Sequence, residues 1–371
     1  MFQPMHTSRL VIRPLQTDDA GDLAERRSDP RVARYQSWAL PYPPARAQQL
    51  VDRVVAMDGP QDEAWWMAAI VEADGRASVG DVAVHLTSEG RTAEIGYTLS
   101  PDHWGRGFAT EAVEAMVEYL FDGFGVTRVF GMIHPDNVAS ARVLERCGLV
   151  YEGQTRRSYW VGDECTDDRL YGMTRPDWVA WRDRPRTPPH LVKLVDIDAA
   201  NYETVLSLRT HKSEETFVAP TGKSFADALF PEEIDGAPVV PWMRAIEADG
   251  AITGFVMLAA TTLHHPEPFL WRFLVDRMHQ RRGVGSRAMD LVESACHAVG
   301  DTALLTSWVP GRGSPGAFYL KRGFVPTGRM VDGEIEARKQ LTATGWEAVV
   351  PPAGTDRRVP GGDPSRGLQG G

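Results

Sequence analysis

The chain has 371 residues, too long for one ordinary core and enough for two domains of about 150 to 200 residues each. Apolar residues at 43% and charged residues at 24% describe an ordinary soluble globular protein, and no apolar run approaches the roughly 18 residues of a membrane span. A formal net charge of −10 argues against a nucleic-acid backbone as the main partner and mildly favours cationic ligands. The opening M-F-Q-P-M-H-T-S-R-L lacks a basic region followed by an apolar core, so no secretory signal is expected and the protein is placed in the cytoplasm, without a membrane partner. Cys147, Cys165 and Cys296 have no metal-ligand spacing; no metal is expected and the thiols are given no chemistry.

In chain order, a helix is expected around Leu50–Val55, followed by strands at Trp65–Ala73 and Val79–Leu86 joined through the Asp74-Gly75 hairpin. A further strand, A-E-I-G-Y-T-L, runs into the glycine turn H-W-G-R-G-F-A at His103–Ala109. Beyond it Ala112, Val113, Met116, Val117, Leu120 and Phe121 fall on one helical face, so the turn joins a strand to an amphipathic helix. Arg175–His190 contains four prolines and many charges and reads as a stiff linker in which Trp178 and Trp181 dock on a domain surface. The strand–turn–helix order then recurs, with F-L-W-R-F-L-V at Phe269–Val275, the turn H-Q-R-R-G-V-G at His279–Gly285, and Met289, Val292, Cys296 and Val299 along the next helix. From Pro351 the chain has too little apolar surface to pack. The expected units are a domain at 1–176, a Pro/Arg-rich linker at 177–190, a domain at 191–345 and a disordered tail at 346–371.

The repeat can be measured. Trp104 and Gln280, Gly107 and Gly283, and Ala109 and Gly285 are each 176 residues apart, and Gly148 and Gly323 are 175 apart. A period that long means two whole domains rather than a solenoid. At each turn the first N–H groups of a helix lack partners and carry the positive end of its dipole, which suits a phosphate or pyrophosphate, with Arg106, Arg281 and Arg282 placing cations at the lip. Gly283, Gly285 and Ala288 also fit the dinucleotide pattern G-x-G-x-x-A. That fingerprint starts right after its strand, however, whereas Asp276–Arg282 intervene here.

The form Q-x-x-G-x-G at Gln280–Gly285, with F-Y-L-K-R-G-F downstream, resembles the coenzyme A loop and tyrosine helix of the GNAT superfamily of N-acetyltransferases. The first copy, through A-E-I-G-Y-T-L-S-P-D-H-W-G-R-G-F-A-T-E-A and N-V-A-S-A-R-V-L-E-R-C-G-L, resembles the branch containing ribosomal-protein-alanine N-acetyltransferases; the second resembles diamine and spermidine acetyltransferases. The resemblance implies an α/β (α+β) fold class with two tandem acyl-CoA N-acyltransferase domains, each a mixed, mostly antiparallel sheet flanked by helices. It implies acetyl-CoA as co-substrate and transfer of its acetyl group to a small cationic amine or a protein amino group. Coenzyme contacts would come from Leu99, Trp104, Gly105, Arg106, Gly107, Ala109, Thr110 and Asn137 in the first copy. In the second they would come from Leu274, Val275, Gln280, Arg281, Arg282, Gly283, Gly285 and Ser286.

Tyr319 would protonate the departing thiolate, being a phenol that keeps its proton at neutral pH; its alternative is packing beside Phe318. The first copy has Leu144 at that position, so Ser140 one turn earlier, or solvent, would have to serve. Glu94, five residues before Leu99, is either a base facing the cleft or a solvent-facing residue of an alternating strand. The reading that differs in class keeps one domain catalytic and makes the other, with its Leu144, a coenzyme A sensing or scaffolding module.

Overall fold

The computed structural model describes residues 2–342, apart from 76, 162 and 235. The first unit begins with strands β1 (Met5–His6) and β2 (Leu10–Pro14) and helices α1 (Ala20–Ser28), α2 (Pro30–Ala33) and α3 (Pro44–Val55). Strands β3 (Trp65–Glu72), β4 (Ser78–Thr87) and β5 (Thr92–Leu99) lead into α4 (Phe108–Glu118). Then come β6 (Arg128–Ile133), α5 (Val138–Arg146), β7 (Val150–Val161), β8 (Glu164–Thr174) and α6 (Arg175–Asp183). The second unit has β9 (Val192–Val195), α7 (Tyr202–Ser207), α8 (Thr221–Leu229), the short β10 (Glu233–Ile234) and β11 (Ala237–Pro238), then β12 (Pro241–Ala248), β13 (Ala251–Ala259) and β14 (Phe269–Val275). It closes with α9 (Val284–Ala298), β15 (Ala303–Trp308), α10 (Gly316–Lys321), β16 (Val325–Val331) and β17 (Glu334–Gln340).

The two large sheets are copies. One runs β1-β2-β3-β4-β5-β6-β8-β7 and the other β9-β12-β13-β14-β15-β17-β16, so the strands correspond one to one once β1 is set aside. Every neighbouring pair is antiparallel except β5–β6 and β14–β15. β3 is buried at nearly every residue, as a central strand covered on both faces must be. Packed on β2, β4 and β5, α4 buries Phe108, Ala112, Val113, Met116 and Val117, and α9 correspondingly buries Val284, Ala288, Met289, Val292 and Cys296. Val299, expected on that face, follows the last helical turn and is 78% exposed.

The expected linker begins instead as a helix. Thr174 and Asp177 form a capping box at the start of α6, and Pro176 sits in its first turn, where a missing N–H costs nothing. Trp178 stacks on Phe121 at 5.2 Å, and both α6 tryptophans belong to the first core, so that core reaches Trp181 and, with α6 ending at Asp183, the extended stretch is shorter than 177–190. The tail from 346 lies outside the described residues. The two units also touch directly: Glu145 of α5, nearly fully buried, accepts from the Ser213 N–H at 2.9 Å and its hydroxyl at 2.6 Å. Among the described residues no helix is long and apolar enough to cross a membrane.

One buried ion pair sets where α1 sits. Arg26 donates to Asp81 of β4 at 2.7 Å with both side chains out of solvent, and Thr98 of β5 donates to the same carboxylate oxygen at 2.7 Å. Removing one partner of such a pair strands the other without water. Asp81→Ala is therefore expected to destabilise the first unit by about 3–5 kcal/mol, while Asp81→Asn, which keeps an acceptor oxygen, costs less. Urea denaturation followed by circular dichroism measures both; equal, small losses would show that the pair contributes little.

Candidate functional site

In the second unit β14 pairs with β15 only at Phe269 and Leu270, after which the strands part. From Trp271 to Val275 one edge of β14 is thus free to bind an extended ligand through its backbone. On the other edge Gly254 of β13 faces Val275 so closely that a Cβ there would lie 2.4 Å from the Leu274 carbonyl oxygen. Past the strand, Gln280 Nε2 donates to the Val275 carbonyl at 3.3 Å and to Glu214 at 2.8 Å. Arg281 (φ 60°) and Gly283 (φ 81°) are both left-handed, and Gly283 caps α9. A backbone curled this way at a helix N-terminus turns successive N–H groups towards one concavity and fits an anionic phosphate.

A cavity of about 1230 Å³ opens beside it. Leu274, Val275, Gln280, Arg281, Gly283, Gly285 and Ser286 all line it, and so does Tyr319. The Arg282 side chain is a correction. It is buried, donates to the Thr187 carbonyl at 2.8 Å and meets His279 Nδ1 at 3.0 Å, so it clamps the linker and does not stand at the lip. The Tyr319 ring packs against Trp308, Phe318 and Phe324, and the residue also lines the cavity. Burial pushes the phenol up to about 12, with a hydrogen bond to Thr306 pulling the other way. Carboxylates dominate the remaining wall, notably Glu214, Glu232, Glu267, Glu334 and Glu336, against Arg272, Arg281 and Arg329. Glu334 and Glu336 gave no signal beyond alternation on an edge hairpin.

The first unit repeats the strand geometry. β5 pairs with β6 only from Thr92 to Glu94 and then parts from it, with Gly80 of β4 opposite Leu99. Trp104 Nε1 donates to the Leu99 carbonyl at 2.9 Å, the bond that Gln280 makes 176 residues later. Gly105 (φ 75°) and Gly107 (φ 82°) give the same left-handed turn, and Ala109 and Thr110 follow in the first turn of α4. Arg106 is the second correction. Its guanidinium makes a two-pronged bond to Glu72 at 2.8 and 3.1 Å, holding that carboxyl below its usual range, and so does not stand free at the lip.

The cavity of this unit, about 750 Å³, is lined by Glu94, Asn137, Ser140 and Leu144 but not by Leu99 or residues 104–110. Tyr97 stands between. Its hydroxyl lies 2.6 Å from that of Ser140 and donates to the Ser140 carbonyl at 2.9 Å, closing the part of the gap next to β5. Sequence reasoning missed Tyr97, whose only trace is its place three residues after Glu94. Asn137 Oδ1 caps α5 by accepting from the Ser140 N–H at 3.2 Å. Glu94 is half-buried in the cavity wall, and burial raises its pKa against the pull of His85.

Two family matches fall one in each sheet-forming unit: residues 9–150 match an acetyltransferase (GNAT) domain and residues 206–324 the acetyltransferase (GNAT) family. The chain is similar to the uncharacterized N-acetyltransferase YoaA of Bacillus subtilis (strain 168), 29% identical over 47% of this chain and 99% of that protein. It is 27% identical to the uncharacterized N-acetyltransferase p20 of Bacillus licheniformis over 42% of this chain and 86% of that one. With the ribosomal-protein-serine acetyltransferase of Escherichia coli (strain K12) it shares 31% identity over 22% of this chain and 45% of the relative. These matches replace the dinucleotide reading of Gly283 and Gly285. With a coenzyme-type loop, a parting strand pair and a family match in each half, the chain belongs to the GNAT superfamily and is an N-acetyltransferase that carries the domain twice.

Proposed function

We propose that both domains transfer the acetyl group of acetyl-CoA to amines, and that the second is the principal catalyst, acting on a small cationic amine. The observation that carries this is a cavity of the second domain that the turn, the free edge of β14 and Tyr319 all line. The turn backbone would hold the pyrophosphate, and N–H groups of Trp271–Val275 would bind the pantetheine and polarise the thioester oxygen. The amine nitrogen, once deprotonated, attacks the carbonyl carbon. The C–S bond then breaks, the thiolate takes the Tyr319 proton, and the surplus proton on the new amide nitrogen passes to the Tyr319 phenolate, which restores the acid. An alkylamine with a pKa near 10 reaches the site mostly protonated, so a carboxylate must take its proton. Glu334, close enough for its charge to act on Tyr319, is the candidate base. The excess of glutamates over arginines on the wall favours an acceptor with more than one positive charge.

In the first domain Glu94 takes the role of base, and the Tyr97–Ser140 hydroxyl pair takes the place left by Leu144. Cavities of this size suit small molecules more than a protein chain. Leu144 also favours the second reading, in which the first domain binds coenzyme A without transferring.

Three outcomes test these assignments. Tyr319→Phe, measured in the full chain with the first loop blocked by Gly107→Glu, should keep coenzyme binding and lose about 10²- to 10⁴-fold in kcat; an unchanged kcat with chemistry rate-limiting removes Tyr319 from the mechanism. Because burial lifts that phenol to about 12, kcat/KM for an alkylamine should rise through pH 7–10 as the amine deprotonates, with no alkaline fall below about pH 11. A fall near pH 9 would assign the acid to another group. Calorimetry should find two acetyl-CoA sites on the full chain and one in either Gly107→Glu or Gly283→Glu. The Gly283→Glu chain should still acetylate amines through the first domain, whereas binding without turnover would support the sensing reading.

A further inference from the structure

The acceptor cavity of the first domain differs in kind from that of the second. Although the chain carries a net charge of −10, this cavity has Arg27 in its wall and Arg46 and Arg53 of α3 at its mouth. Arg27 is the informative one. It follows Arg26, whose bond to Asp81 fixes α1, so the next side chain round the helix is delivered to the cavity face. There it makes no ion pair among the described residues. One guanidinium nitrogen donates to the Tyr42 hydroxyl at 3.2 Å, another meets the Met67 sulfur at 3.8 Å, and Nε is buried with no partner.

The group is nevertheless held in place. The Trp38 ring covers the guanidinium at 4.4 Å, and the Trp38 Nε1–H donates to the Arg27 carbonyl at 3.0 Å, so the stacking residue is pinned by the residue it covers. Tyr42 lies at 5.2 Å. A cation fixed against aromatic faces, short of hydrogen-bond acceptors and opening on a cavity of about 750 Å³ is arranged for a planar anion that can accept two N–H bonds at once. Glu94, Asp168 and Asp81 also line the cavity, Asp81 being held by Arg26.

We propose that the acceptor of the first domain carries an anionic oxygen group, a carboxylate or phosphate, on the same small molecule as its amine, and that Arg27 binds that group while the amine is presented to Glu94. This rests on the reading of the first domain as a transferase and goes beyond it by naming the acceptor's chemical class. The two domains then act on amines of opposite character, a polycation in the second and an amine bearing an acid in the first.

The test uses the full chain with Gly283→Glu silencing the second site. Free thiol release from acetyl-CoA is followed with three matched sets of acceptors: amino acids, the corresponding amino acid amides, and aminoalkyl phosphates. The acid-bearing sets should show KM values at least about tenfold below the amides, and the better of the two acid sets identifies the anion. Arg27→Met, which keeps length and an apolar stem under Trp38, should raise KM for the acids by about 10- to 100-fold and erase their advantage over the amides, with Arg27→Lys in between. Amides used as well as acids in the unmodified cavity, or acids indifferent to Arg27→Met, would overturn the proposal. Calorimetric titration of the same amino acids into the coenzyme-saturated chain separates the two readings. Acid-selective binding without turnover removes the catalytic role of the first domain and keeps the anion site, whereas turnover without acid selectivity does the reverse.

Discussion

A parallel strand pair that hydrogen-bonds only over its first residues leaves later N–H and C=O groups of both strands unsatisfied, and each domain is arranged around that gap. β5 and β6 hold together from Thr92 to Glu94, β14 and β15 at Phe269 and Leu270, and beyond those points a ligand's own amides are the natural partners. The opposite edge must then be especially firm. Gly80 and Gly254 let β4 and β13 approach their partners too closely for a side chain, which keeps the free strand registered while its other edge stands open. The helices α5 and α10 return to the gap and place Ser140 and Tyr319 beside it. The difference between the domains follows from what fills the opening: Tyr97 reaches across the first, and the second is left clear enough for the loop and the glutamate-rich wall to share one cavity.

What the sequence disclosed was what depends on neighbours along the chain. A strand, a left-handed glycine turn and an amphipathic helix are local, and their recurrence at a constant offset carried the architecture. The placement of Gln280, Gly283 and Tyr319 in one cavity could be anticipated because all three hang on those elements. The side chains of Arg106 and Arg282 could not be followed, because their fates are decided by Glu72 and Thr187, at 34 and 95 residues' separation. The Tyr97–Ser140 contact, at 43 residues' separation, belongs to the same class. The helix at Arg175–Asp183 is different: its capping box and early proline were legible, but a composition rich in charge and proline argued for a linker and prevailed over the local signal.

Net charge describes how a protein meets solvent and says little about what its cavities hold. Here an acidic chain encloses one cavity walled by glutamates and another lined by a guanidinium that makes no ion pair among the described residues. The same helix serves both neighbourhoods. The inner face of α5 gives Asn137 and Ser140 to the first cavity, while Glu145 on its outer side grips Ser213, one residue before the Glu214 that receives Gln280. Tandem copies packed in this way share a structural part, which a pair of independent domains on a flexible tether would not.

The paired roles of Trp104 and Gln280 bear on how such proteins diverge. An indole and a carboxamide have almost nothing in common as shapes, yet each extends one N–H to the carbonyl that ends the strand, at 2.9 and 3.3 Å. Selection acting there sees a donor at a given reach, and the two residues are synonyms in that vocabulary. A pattern spelled in residue letters scores them as a mismatch. After a duplication, then, the copies are free to drift between spellings while the turn they hold stays the same, and a search conducted in donors and distances will recognise kinship after the letters have ceased to agree.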